Sequence, residues 1–370
     1  MNKFNEENTK VKKDTHKYDC PSCGGNLSFD IESQSLICPY CSSSVQIEFE
    51  NEEIIEYDID SAMNDANTDW GDEQRTIKCE NCGAETLVEA KNTSEFCAFC
   101  GSSHILKSDA ERTIVPESLI PFKVTKESAQ KEFKKWISKR YYAPKALKHQ
   151  YKFDKLSGVY IPFWTYDSST YSSYSAQKGT YYYVNVTKWE EVNGERKQVT
   201  KRERRTRWEY VAGDFAKDFD DILIPASNQV KEKLLKRLEP FNLNELVKYQ
   251  PHYISGFISE RYSINLDEGW SLAQTEIKAD LRNSIQRKIN GDTIRDLRIS
   301  THYEDIKFKH LLLPIWISAY TFKNKNYKFM INGQTGEVQG EAPISIWKVI
   351  FTILVLAGIA ILIYFYMSNK

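Results

Sequence analysis

All eight cysteines of this 370-residue chain fall into one pattern used twice, Cys20-x2-Cys23-x14-Cys38-x2-Cys41 and Cys79-x2-Cys82-x14-Cys97-x2-Cys100. Two Cys-x2-Cys hooks bring four thiolates around a tetrahedral ion, and that ligand set suits structural zinc, one ion per unit. Iron in a rubredoxin-like site is the alternative occupant. Four protein ligands leave no open position for water, so the chemistry implied is support of folding, not catalysis. Gly24 and Gly83 directly follow their second cysteines, where the knuckle turn needs a positive φ, and Pro21 and Pro39 stiffen two of the hooks. His104 stands near the second unit without being needed as a ligand.

A second constellation is cationic. Arg196, Lys197, Lys201, Arg202, Arg204, Arg205 and Arg207 form a candidate anionic-ligand patch, opposed locally only by Glu203. Its readings are a lipid-headgroup patch, a groove for nucleic acid, a dock for an acidic segment that includes the chain's own linker, or a solvated hairpin strand. The rest of the sequence is poor in chemistry. It holds no G-x-x-x-x-G-K-[ST], G-x-G-x-x-G, H-E-x-x-H or G-x-S-x-G. The S-x-x-K matches Ser128/Lys131 and Ser175/Lys178 lack companion motifs. No catalytic residue is assigned, and the expectation is a protein that is not an enzyme.

The net charge of −1 conceals a strong asymmetry. From Cys20 to Cys100 there are 17 acidic residues against Arg75, Lys78 and Lys91, and the stretch from Glu48 to Glu73 holds eleven acids and no base. Nucleic-acid binding needs lysine and arginine to displace counterions from phosphate, so this surface disfavours nucleic acid and favours protein docking.

The elements that must position these groups read as an α+β fold. The expected order is a charged N-terminal arm (1–19), zinc ribbon 1 (20–45), an acidic linker (46–74), zinc ribbon 2 (75–108), an α+β cytosolic body with antiparallel sheet (109–343) and a transmembrane helix (347–367). Strand-like runs occupy 158–166, 171–174, 181–192 and 311–322, with Asn193-Gly194 as a hairpin turn. Helices are expected after Thr125, from Ser227 or Asn228 through Leu238, and from Asp267 to Lys288 before Gly291. From Val349 to Met367 the chain runs 19 residues without a charge, roughly 28 Å as a helix, flanked by Trp347 and Lys348 and by Tyr364, Tyr366 and Lys370. This reads as a single-pass tail anchor in the cell membrane. Thiolates that hold zinc place the N-terminal bulk in the cytosol.

Taken together, the twin ribbons CPSCGG…CPYC and CENCGA…CAFC, the segments Ile161–Trp164 and Leu312–Pro343, and the terminal span resemble bacterial tail-anchored double-zinc-ribbon membrane proteins. Such proteins often carry labels borrowed from a transcription-factor-type zinc ribbon or from the primosomal, replication-restart helicase. This chain departs from both, with no helicase motor loops and no basic ribbon surface. The architecture is also similar to membrane anchors of phage-shock-like envelope-stress operons. That resemblance implies a non-enzymatic adaptor that recruits cytosolic or membrane-associated partners, phage-shock-protein-A-like or flotillin-like, to the bilayer. The alternative is a membrane-tethered nucleic-acid-binding zinc-ribbon protein.

Overall fold

The computed structural model describes residues 19–47, 54–61, 74–79, 84–89, 97, 99, 105–108, 114–144, 147, 156–192, 195–322 and 325–368. The fold is α+β with a largely antiparallel sheet and one C-terminal apolar helix. Strands β1 (Ser28–Asp30), β2 (Ser35–Ile37) and β3 (Ser44–Val45) make a small antiparallel sheet of their own. Strand β4 is Tyr57–Asp58. Strands β5 (Gln74–Cys79), β6 (Glu85–Glu89) and β7 (Ile105–Ser108) also pair with one another, but β6 pairs with β12 (Ile258–Glu260) of the body. The second cysteine segment therefore extends the main sheet, whereas the first keeps a separate one.

Strand β8 (Ser118–Leu119) leads into helix α1 (Lys126–Lys139), which Thr125 caps by accepting from the Ser128 N–H, as expected from the sequence. The frame of the molecule is β9 (Ser157–Val192), flanked by β10 (Glu195–Pro225) and β13 (Thr293–Phe322). At ~3.3 Å per residue β9 is roughly 120 Å long. The strand-like runs 158–166, 171–174 and 181–192 are thus one continuous strand, the run 311–322 is the end of β13, and Asn193-Gly194 lies outside the described residues. Helix α2 is a short Glu232–Lys236 segment that starts at Lys231. Ser227 does not cap it; its hydroxyl donates to Glu260 Oε1 at 2.6 Å. Strands β11 (Val247–Lys248), β14 (Lys325–Asn332) and β15 (Val338–Gly340) complete the sheet.

Helix α3 (Leu266–Ile289) buries Gly269, Ala273, Ile277, Leu281, Ile285 and Ile289, a stripe one residue wide at four-residue spacing. Its left-handed C-cap is Asn290 at φ +51°, one residue before the glycine expected there. Helix α4 (Ile346–Ser368) has mean hydropathy 2.7 over its most apolar stretch and buries nothing. It is long and apolar enough to span a membrane.

At its base the frame is buried on both sides, so β9 reads there as an unbroken apolar run from Val159 to Trp164. Even residues such as Tyr160 pack with Phe122, Phe133 and the first cysteine segment, including Cys20, Phe29 and Cys38. Odd residues Val159, Ile161 and Phe163 pack with Leu235, Leu238 and the second segment, including Cys79, Cys97 and Phe99. The two cysteine segments thus cover opposite faces of one sheet.

Candidate metal centre

The first centre is built by two matching turns. In one, Gly24 N–H donates to Cys20 O at 2.8 Å and Cys20 N–H to Gly25 O at 2.6 Å. In the other, Ser42 N–H donates to Cys38 O and Cys38 N–H to Ser43 O, both at 2.9 Å. Each turn needs a left-handed residue just after its second cysteine. Gly24 supplies it at φ +70°, and Ser42 supplies it at φ +60° without a glycine. A serine there gives no sequence signal, so only half of the knuckle pair was legible.

These turns place Cys20 Sγ 3.4 Å from Cys41 Sγ and Cys23 Sγ 3.5 Å from Cys38 Sγ. All four sulfurs lie within 4.8 Å of one another. A tetrahedral ion with Zn–S bonds of about 2.3 Å requires S···S edges of about 3.8 Å, so the set fits. Their proton affinities show the same demand. Burial pushes the Cys20 thiol up, but the Ser22 and Cys23 N–H groups outweigh it and bring it down to about 6. Cys38 is lowered likewise, against burial, by the Cys41 and Tyr40 N–H groups. Cys41, despite the Ser43 N–H, is pushed up to about 12 by Cys20 and Cys23. Four thiolates this close do not coexist without a cation to neutralise them.

The second set is described only in part. Cys79 and Cys97 are buried in one core cluster, and Cys82, Cys100, Gly83 and His104 lie outside the described residues. Cys79 N–H donates to Ala84 O at 2.9 Å, the same five-residue closure that Cys20 makes with Gly25 and Cys38 with Ser43.

The cationic cluster is brought together on β10, opposite Thr180–Glu191 of β9, and the strand period divides it. Arg196, Arg202 and Arg204 share one side, and Lys201, Arg205 and Arg207 the other, while the Lys197 side chain lies outside what the structure describes. On the second side Lys188 pairs with Glu203, and Lys201 reaches Glu190 at 2.5 Å. The cluster is therefore not one patch, a division that a run of neighbouring residues conceals.

A latch on β13 has no local signature in the chain. Strand β4 pairs with Lys307 and Phe308, and Lys309 reaches Glu56 at 2.9 Å and Asp221 at 2.8 Å. This docks residues 54–61 of the acidic linker on the body, away from the β10 arginines. Asp167, Asp220 and Asp221 are close enough to share a cation, and one of the three, Asp221, pairs with the Lys309 ammonium. Two further buried groups belong to the core: Glu260, pushed up to about 8 by burial, and His310, lowered to about 4 by burial, whose Nδ1–H donates to Ile114 O at 2.9 Å.

The chain is 30% identical over 335 residues to the uncharacterized protein YdjG of Bacillus subtilis (strain 168), a match that covers 90% of this chain and 91% of that protein. The chain belongs to the YdjG family. No family model and no solved structure matches it. Residues 20–100 contribute at most 81 of the 335 matched positions, so most of the matched length lies outside the cysteine-bearing segments.

Proposed function

We propose that the chain is a non-enzymatic, membrane-anchored zinc-ribbon adaptor that recruits partner proteins to the membrane. One observation carries the reading: α4 contributes nothing to the core, yet its first turn is clamped to the body. Lys348 Nζ donates to Tyr141 O at 2.7 Å and Ala143 O at 2.8 Å, and Ser345 N–H donates to Tyr142 O at 2.8 Å. A helix exposed along its apolar length and tied at one end is suited to hold a folded body at a bilayer. The resemblance to anchors of envelope-stress operons agrees with this, with the body in the cytosol where thiolates stay reduced.

In this reading Cys20, Cys23, Cys38 and Cys41 hold one zinc ion and Cys79, Cys82, Cys97 and Cys100 a second. Both are structural. The metal would fix the ribbons against the two faces of the frame, and the acidic surface around them would serve as the docking ground for partners. Crosslinking in intact cells, detergent extraction, affinity capture and mass spectrometry test it. The expected result is a set of scaffold or membrane-stress proteins that survives nuclease and is lost in the Cys20→Ser/Cys23→Ser variant. Recovery of nucleic acid with replication or transcription proteins, removed by nuclease, would overturn it.

A further inference from the structure

Beyond the body, β9, β10 and β13 continue as an arm that α3 covers on one side as far as about Lys178. Even residues of β9, such as Tyr174 and Ala176, pack with Ile285 and Ile289 of α3, and odd residues turn to the opposite, bare side. On that side stand Arg196, Arg202 and Arg204 from β10 and Arg295 and Arg298 from β13, all exposed. Three guanidinium groups lie over rings of the same side: Arg202 at 4.3 Å from Tyr183, Arg204 at 4.2 Å from Tyr181 and Arg295 at 4.0 Å from Trp208. Stacking holds each fork flat and leaves its edge N–H groups for phosphate oxygens. Trp189 and Tyr210, each 66% exposed, extend the face. The nearby acids are Glu191 at the tip, Asp292, whose Oδ2 accepts from the Tyr181 N–H at 2.7 Å, and Asp296, 3.8 Å from Arg295.

We propose that this bare face is a lipid-docking surface that lies on an anionic membrane leaflet. Arginine interleaved with tyrosine and tryptophan is the side-chain set that rests at headgroup level, with rings at the interface and charge on lipid phosphate. From Trp208 to Arg196 the strip runs about 40 Å along an extended strand, a length that meets many headgroups at once. The opposite side is unsuited to a flat surface, since α3 stands on it and its carboxylates are paired with lysines. The proposal rests on the membrane-anchored reading only for the nearness of a leaflet, which α4 would keep within the arm's reach.

The test uses the full-length protein in nanodiscs of phosphatidylcholine alone, mixed with separate vesicles containing roughly one third phosphatidylserine. The nanodiscs are expected to co-float with these vesicles, not with phosphatidylcholine vesicles, and to be released at about 1 M salt. R202Q/R204Q should weaken binding by about tenfold or more, and R205Q/R207Q, the same charge change on the other side of the same strand, by less than about twofold. Equal losses in the two variants would overturn the assignment to the bare face. So would absence of wild-type binding, or capture of a single-stranded oligonucleotide in place of vesicles. Because the vesicle arrives in trans, failure here leaves the anchoring reading, tested by detergent extraction, untouched.

Discussion

Lys309 is 7% exposed, and it stays charged because Glu56 accepts from its ammonium and Asp221 forms an ion pair with it. Burial alone would lower it, but those two carboxylates push it up to about 12. Lys309 in turn holds Glu56 below its ordinary value, and burial raises Asp167 to about 6. The signs fix the working range. Lys309 contributes stability that is complete below its unfolded value and lost as pH rises through about 12. Glu56 contributes above the ordinary carboxylate range and loses its share on acidification, while Asp167 favours the fold only below about 6. Hydrogen exchange at Tyr57 and Asp58, corrected for intrinsic rate, should therefore stay flat between about pH 7 and 9 and rise below about pH 4. Lys309→Met removes the cation between the partly exposed Glu56 and Asp221 carboxylates, so it should cost about 2 kcal/mol in denaturant unfolding and release the linker at neutral pH. A stability change under about 0.5 kcal/mol would show that the latch is solvated. At the metal centre, Cys20→Ser with Cys23→Ser should lower bound zinc by one equivalent in purified protein while α4 remains in the membrane fraction. An unchanged metal content would remove these residues from the ligand set.

Among the elements, α3 approaches the frame most closely at Gly269, where a Cβ would sit 2.3 Å from Tyr166 Oη and 2.9 Å from Trp164 Cδ1. The same two side chains hold the start of the helix, since Trp164 Nε1–H donates to Ile264 O at 3.0 Å and Tyr166 O–H to Leu266 O at 2.7 Å. Gly269→Val should force the helix off the arm and cost about 2–3 kcal/mol. Adding Tyr166→Phe removes the hydroxyl from the clash and should return part of that loss; a strictly additive double variant would sink the account. The helix itself was legible in the sequence, because its apolar residues recur every four positions and Asn265 and Asp267 mark its start. The first four-cysteine cluster was legible for a similar reason, as its members are close in the chain. The arm was not. Serines at 168, 169, 172, 173 and 175 interrupt the aromatic and β-branched signal, and the strand is completed by β13, whose Thr301 pairs with Ser172 from 129 residues away. The division of the cationic cluster was hidden by the same period, which sends sequence neighbours to opposite sides of a strand.

On the scale of the whole molecule, three features stand apart: a helix that buries nothing, a sheet base clasped by two cysteine segments, and an arm about 80 Å long from Asp167 to Val192. Their independence is testable by ending the chain at Ser345. The lost helix takes no core residue with it, and the Lys348 clamp holds backbone carbonyls that solvent can hydrate. The remaining body should therefore keep its unfolding midpoint and its metal content. Its partition should separate the two membrane contacts proposed for the chain. With α4 removed, association with anionic vesicles depends on the arm alone, so the truncated protein should sediment with them in low salt and return to solution at about 1 M salt, whereas the full chain should require detergent at any salt. Release of the truncated protein at low salt would assign all membrane contact to α4 and leave the arm's arginines for another partner.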